Sequence, residues 1–153
     1  MYNLAGEYEC KIDAKGRLRL PTALLKQLGT EHARFTVNRG FEKHLMLYPH
    51  DVWDKKTNEI NSLNIYIKKN RQAVRYFYRG ATNVSCDAAD RILLPKMLMK
   101  YAGLEKTVVL FAYNEQIEIW DQEEYENMLT DNEPEEFSDL AEEVFGGKKE
   151  EGE

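Results

Sequence analysis

DAKGRLRLP occupies residues 13–21 and DAADRILLP occupies residues 87–95, 74 positions apart in a chain of 153. Near-repetition at that distance points to two copies of one small unit. Aligned at this offset, Asp13/Asp87, Arg17/Arg91, Leu18/Ile92, Leu20/Leu94, Pro21/Pro95, Leu24/Leu98 and Gly29/Gly103 coincide. At an offset of 72, LMLYPHDVW (45–53) parallels IEIWDQEEY (117–125), setting Tyr48 opposite Trp120 and Trp53 opposite Tyr125. A Gly, a Pro, an Asp–Arg pair and an aromatic pair matching in order are not a chance event. The repeat organises the chain.

Working outward, each copy reads as strand, tight turn, strand, short helix and two further strands. In YECKIDAKGRLRLP, Tyr8, Cys10 and Ile12 alternate with Glu9, Lys11 and Asp13, the period of a half-buried strand. Beyond the turn, Leu18 and Leu20 point one way while Arg17 and Arg19 point the other. Pro21 suits a first helical position and Gly29 a left-handed C′ position, which brackets a helix over TALLKQL; PKMLMKYAG (95–103) carries the same brackets. FTVNRGFEKHLMLYP and TVVLFAYNEQIEIWD complete the units as hairpins. The spacing sets repeats at 5–53 and 80–126, a helical linker at 54–79 and an acidic, flexible tail at 127–153. In the linker, Ile67, Val74, Phe77 and Tyr78 mark one stripe, and Lys68, Gln72, Arg75 and Arg79 another. The plainer account of the basic stripe is a solvated face on a helix packed against a neighbour by its apolar side, and the alternative is direct DNA contact. In the tail, Phe137, Leu140, Val144 and Phe145 form a weak amphipathic patch, and GGKKEEGE is expected to be disordered.

The net charge of −6 conceals an uneven distribution. Residues 1–79 hold 15 Lys and Arg against 8 Asp and Glu, whereas 80–153 hold 6 against 19. Any anion-binding face therefore belongs mainly to the first half, and the acidic tail is able to compete for it as a polyanion. The longest apolar run, VVLFAY at 108–113, is far too short to span a membrane. MYNLAGEYECK lacks the basic-then-apolar pattern of a secretory leader, so a cytoplasmic location is expected. Cys10 and Cys86 show no CxxC spacing and read as reduced core residues. His32, His44 and His50 follow no metal-binding pattern, and no nucleophile elbow, Walker or dinucleotide motif is present. No enzyme activity, metal, cofactor or small-molecule substrate is expected.

What the repeated nine residues are for follows from the turn. A three-residue hairpin loop commonly ends in a left-handed residue, usually Gly. Setting Ala14-Lys15-Gly16 in that loop gives Gly16 this position and makes Asp13 and Arg17 cross-strand neighbours, a pairing that contributes about 0.2–1 kcal/mol. The carboxylate then holds the guanidinium in one orientation at an exposed tip. In the second copy Asp90 takes the place of Gly16, and Asp tolerates that conformation. A purely structural clasp is the plainer alternative. Against it, Lys15, Arg17 and Arg19, with Lys11, make a basic patch that folding does not require.

Paired D-x-x-x-R motifs, each followed by an apolar-Pro helix start, resemble the MraZ family of bacterial transcriptional regulators, and each half resembles an AbrB-like swapped-hairpin DNA-binding unit. The resemblance covers roughly residues 5–129. It implies an α+β fold, a swapped-hairpin double split β-barrel built from both halves of one chain. It also implies a cytoplasmic, nucleoid-associated protein that binds double-stranded DNA. The family assembles into homo-oligomeric rings acting on short tandem repeats upstream of the division and cell-wall gene cluster. Carried over by position, Asp13, Arg17, Asp87 and Arg91 match the motif. Lys11, Lys15, Arg17, Arg19 and Arg91 are the expected DNA contacts, with Asp13 and Asp87 orienting the arginines and Gly16 and Asp90 shaping the loops. The second copy departs at Ala89, Asp90 and Leu93, where the first has Lys15, Gly16 and Arg19, so a weaker second contact is expected. The alternative function is an oligomeric scaffold whose tips clasp a protein partner without DNA.

Overall fold

The computed structural model describes residues 2–29, 34–130 and 134–151; His32 and the last two residues of the acidic tail lie outside them. The chain runs β1 (Leu4–Lys11), β2 (Arg17–Arg19), α1 (Thr22–Leu28), β3 (Arg34–Arg39), β4 (Leu45–Pro49), α2 (His50–Asn61) and α3 (Lys68–Tyr78). The order then recurs as β5 (Thr82–Ser85), β6 (Arg91–Leu93), α4 (Lys96–Ala102), β7 (Thr107–Asn114), β8 (Gln116–Asp121), α5 (Gln122–Thr130) and α6 (Pro134–Glu151). The protein is thus α+β, with antiparallel sheets. Met1–Gln122 forms one compact unit and Glu123–Glu153 a second.

The strands do not stay within their own repeats. One six-stranded sheet has the order β1-β7-β8-β4-β3-β5, and β2 pairs with β6 in a separate two-stranded ribbon. Leu4–Lys11 of the first repeat lies antiparallel to Asn114–Thr107 of the second, and Arg34–Val37 pairs with Ser85–Thr82 in the reciprocal exchange. The two central strands join where Leu45↔Ile119 and Leu47↔Ile117 face each other. Every strand of one repeat therefore has its counterpart related by a pseudo-twofold between β8 and β4. Such an exchange makes one core out of both copies. Leu18, Leu20 and Leu24 are buried with their counterparts Ile92, Leu94 and Leu98, and Phe35, Leu45, Leu110 and Ile119 fill the space between. Each such side chain stabilises the fold by about 1.5–3 kcal/mol through removal from water.

Several local expectations are corrected. Pro21 and Pro95 are N-caps, one residue before the first helical position, with extended backbone. The Pro21 carbonyl accepts from Leu24 and Leu25 N–H, so the ring lies where no donor is needed. Gly103 is left-handed at φ 64°, ψ 31°, but Gly29, at φ 81°, ψ 164°, is in a more extended region that only glycine enters readily.

The linker is two helices rather than one helical stretch. Between them Asn64 closes a turn, its Oδ1 accepting from Tyr66 N–H and its carbonyl from Ile67 N–H, while Arg71 Nη1 donates to the Ile65 and Tyr66 carbonyls. The apolar stripe is also less buried than its spacing suggests: Ile67 is exposed and α3 buries no residue completely. Its contact is aromatic instead, Phe77 stacking on buried Trp53 at 5.0 Å with Tyr78 edge-on to both rings. Finally, Pro134–Glu151 forms helix α6, which takes in residues 146–151 of the stretch expected to be disordered. Pro134 at the start and Glu135 and Glu136 in the first turn suit a helix N-terminus electrostatically.

Candidate nucleic-acid interface

The two repeated turns carry the same polar geometry. Asp13 accepts backbone N–H bonds at Oδ1 from Lys15 (3.0 Å) and Arg17 (2.9 Å), and its Oδ2 accepts from Arg17 Nε at 2.6 Å. Asp87 does the same for Ala89 (2.9 Å), Arg91 N–H (2.9 Å) and Arg91 Nε (2.9 Å). Each turn closes through Gly16 N–H or Asp90 N–H donating to the aspartate carbonyl at 3.0 Å. Closure leaves Gly16 at φ 88° and Asp90 at φ 61°, the left-handed position expected for each. Both carboxyls are held below the usual carboxylate range, chiefly by the N–H of Arg17 or Arg91 and further by the guanidinium. The aspartates stay ionised and the arginines stay oriented, with about a third of each arginine side chain open to solvent.

The turns belong to one surface. Leu20 N–H donates to Asp90 O and Leu94 N–H to Gly16 O, both at 2.9 Å, so each turn is tied to the other repeat's strand. In the ribbon between them the register is Arg17↔Leu93, Leu18↔Ile92 and Arg19↔Arg91. Alternation sends Leu18 and Ile92 into the core and leaves Arg17, Arg19, Arg91 and Leu93 on the outer face. Arg19, which makes no ion pair among the described residues, thus stands beside Arg91 of the other copy. Sequence reasoning placed these arginines on two separate tips. Exchange of strands merges them.

Lys15 is exposed on the first turn and lines a cleft of about 460 Å³ with Asn83, Ser85, Leu93 and Lys96. Lys96 was not anticipated, since its counterpart in the first repeat is Thr22 and nothing in the pattern marks it. Lys11 is also exposed but lies at the end of β1, in the larger sheet opposite Thr107, rather than on the ribbon. Among the described residues no three His, Cys, Asp or Glu side chains converge as metal ligands, and no helix is long and apolar enough to cross a membrane. Cys10 and Cys86 are free and half-buried, and burial pushes both thiols up in pKa, away from the reactive thiolate.

Fold and surface together define a class: a tandem-repeat α+β protein in which two aspartate-braced arginine turns share one basic β-ribbon. The family model described as "MraZ protein, putative antitoxin-like" matches residues 3–76 and again residues 77–147. The chain belongs to the MraZ family. It is 45% identical over 148 residues to a protein of Christiangramia forsetii named "Transcriptional regulator MraZ", covering 95% of both chains. Proteins of the same name from Flavobacterium psychrophilum and Cytophaga hutchinsonii are 42% and 34% identical over 148 residues; the matches cover 95% and 96% of this chain, and 94% and 97% of those relatives. These relatives are named as regulators, not as enzymes.

Proposed function

We propose that this chain is a sequence-specific DNA-binding transcriptional regulator that lays the β2–β6 ribbon into the major groove. The observation that carries this reading is the braced pair Arg17 and Arg91 on one ribbon with Arg19. A two-stranded β-ribbon fits the major groove, where arginine reads guanine O6 and N7 through two hydrogen bonds. Residues two apart on one strand are about 7 Å apart, close to two base-pair steps. Bracing lowers the entropy lost when a guanidinium docks, which is the role assigned to Asp13 and Asp87. Lys15 and Lys11 supply charge to phosphates, fixing register without reading sequence. Gly16 and Asp90 provide the turn geometry.

The exchange of strands between repeats supports reading the fold as a swapped-hairpin double split β-barrel, with repeats at 5–53 and 80–126, a linker at 54–79 and an appended segment at 127–153. The names of the relatives and the family resemblance support a cytoplasmic, nucleoid-associated protein. They also support a homo-oligomeric ring acting on tandem repeats upstream of the division and cell-wall gene cluster. Linked weak sites gain affinity through effective concentration, so a ring suits a module with so few base contacts.

The test is binding of the full chain to a labelled duplex from the DNA immediately upstream of its own coding sequence, measured across salt concentrations. We expect log K to fall linearly with log salt, by about 0.9 per phosphate neutralised. A footprint should cover regularly spaced sites. Absence of duplex binding at every salt concentration would overturn the proposal.

A further inference from the structure

Building on that DNA-binding reading, we infer that Leu93 is a specificity-determining residue that packs on a thymine methyl group and gives the ribbon a direction. The pseudo-twofold of the ribbon relates the pair Arg17↔Leu93 to the pair Arg91↔Arg19. A symmetric ribbon would carry arginine at all four outer positions. Leu93 is the one departure.

The core does not require it. Leu93 is 57% exposed, whereas its neighbours Ile92 and Leu94 are buried at 0% and 2%. A single exposed leucine is ordinary on most surfaces. This one lies on a basic face, directly across from a braced arginine, at a cross-strand Cβ separation of about 5 Å. Its Cδ1 lies 3.9 Å from where a Cβ on Gly16 would sit, so the side chain leans across the ribbon toward the first turn. It also lines the cleft shared by Lys15 and Lys96. A DNA strand whose phosphates lie against those two lysines would bring a base edge over Leu93.

In the major groove the one apolar group on a base edge is the thymine C5-methyl. At the other end of the ribbon, Arg19 beside Arg91 offers only donors, which thymine matches poorly and guanine matches well. The two ends therefore prefer different base pairs. A ribbon built this way reads a non-palindromic step and binds in one orientation, with a guanine and an adjacent thymine at the Arg17–Leu93 end.

The experiment uses the full chain and the footprinted upstream duplex. Each thymine in one repeat is replaced in turn by deoxyuridine, which removes only the methyl group. Wild-type protein should lose about fourfold in affinity per site at one thymine, the equivalent of exposing one methyl group. Leu93→Ala should bind the natural duplex more weakly and show no loss on that replacement. Leu93→Arg should also be insensitive to the methyl and should steepen the salt slope by about one unit. Light scattering and thermal melts must show an unchanged assembly and fold. Equal deoxyuridine sensitivity in wild type and Leu93→Ala, or no sensitive thymine, overturns the assignment. So does a Leu93→Ala variant whose loss of binding tracks a change in oligomeric state. Failure of the wild type to bind any duplex would instead sink the DNA-binding reading itself.

Discussion

Arg17 and Arg91 are held by the same set of hydrogen bonds but have different neighbours. Arg91 has Arg19 across the ribbon, while Arg17 faces Leu93 and is the only cation in its pair. Arg17→Ala therefore leaves no arginine in its cross-strand pair, whereas Arg91→Ala leaves Arg19 in place. We expect Arg17→Ala to cost about 1–3 kcal/mol per site in fluorescence anisotropy, and Arg91→Ala distinctly less. Equal losses in assemblies of equal size would show that both ends dock alike.

The aspartates give a second expectation. Their pKa values are depressed in the folded state, by backbone N–H bonds first and the guanidinium after. The stability they add is present above the unfolded carboxylate pKa of about 3.9 and is lost as pH falls through the lower folded values. The double variant Asp13→Asn, Asp87→Asn keeps an acceptor oxygen but cannot titrate. Its thermal melts should change less than wild type as pH falls below the unfolded carboxylate pKa of about 3.9. An identical acid limb would remove these turns from the pH response.

The turn as an element tolerates different residues in its two copies for a reason that can be measured. Gly16 combines a positive φ with crowding, since a Cβ there would meet Met99 Sδ at 3.1 Å and the Leu94 carbonyl at 3.2 Å. Gly16→Val should cost at least about 1–2 kcal/mol, the penalty of left-handed backbone for a side chain that gains nothing there. It should lower Tm by several degrees in calorimetry. Asp90→Asn, also tolerated in the left-handed region, should change stability by no more than about 0.5 kcal/mol, as neutral surface substitutions do, and so leave Tm nearly unchanged. It should also raise DNA affinity by removing an anion from the second turn. A Tm drop for Asp90→Asn matching that of Gly16→Val would show that the Asp90 carboxylate itself holds the turn.

The short helices were legible because Pro21/Pro95 and Gly29/Gly103 bracket seven residues each. The break between α2 and α3 was not, because SLNIYI (62–67) has neither Gly nor Pro. There the decision fell to Asn64, whose side chain competes with the helix for backbone N–H groups.

For the whole molecule, charge distribution makes the strongest prediction. Ending the chain at Thr130 removes ten acidic and two basic residues, taking the formal charge from −6 to +2. Nonspecific DNA affinity should rise, most at low salt where screening is weak. Unchanged affinity at low salt in the truncated chain would make the segment electrostatically irrelevant. The repeat, the braced turns, the alternation of Leu18 against Arg17 and Arg19, and the family itself were all readable from residue order. Each depends on neighbours within a few positions, or on a match that alignment reveals directly. The composite face was not readable. Arg17–Arg19 keeps an antiparallel bridge to its own first strand at Ile12↔Leu18, but which strand takes its other edge is not set by local sequence. Burial of Leu18 against Ile92 in one shared core decides it. That choice sets Arg19 beside Arg91 and Leu93 beside Arg17, 72 and 76 positions apart in the chain. No local propensity carries this information, because hydrophobic burial is non-directional and selects partners only once the whole core closes.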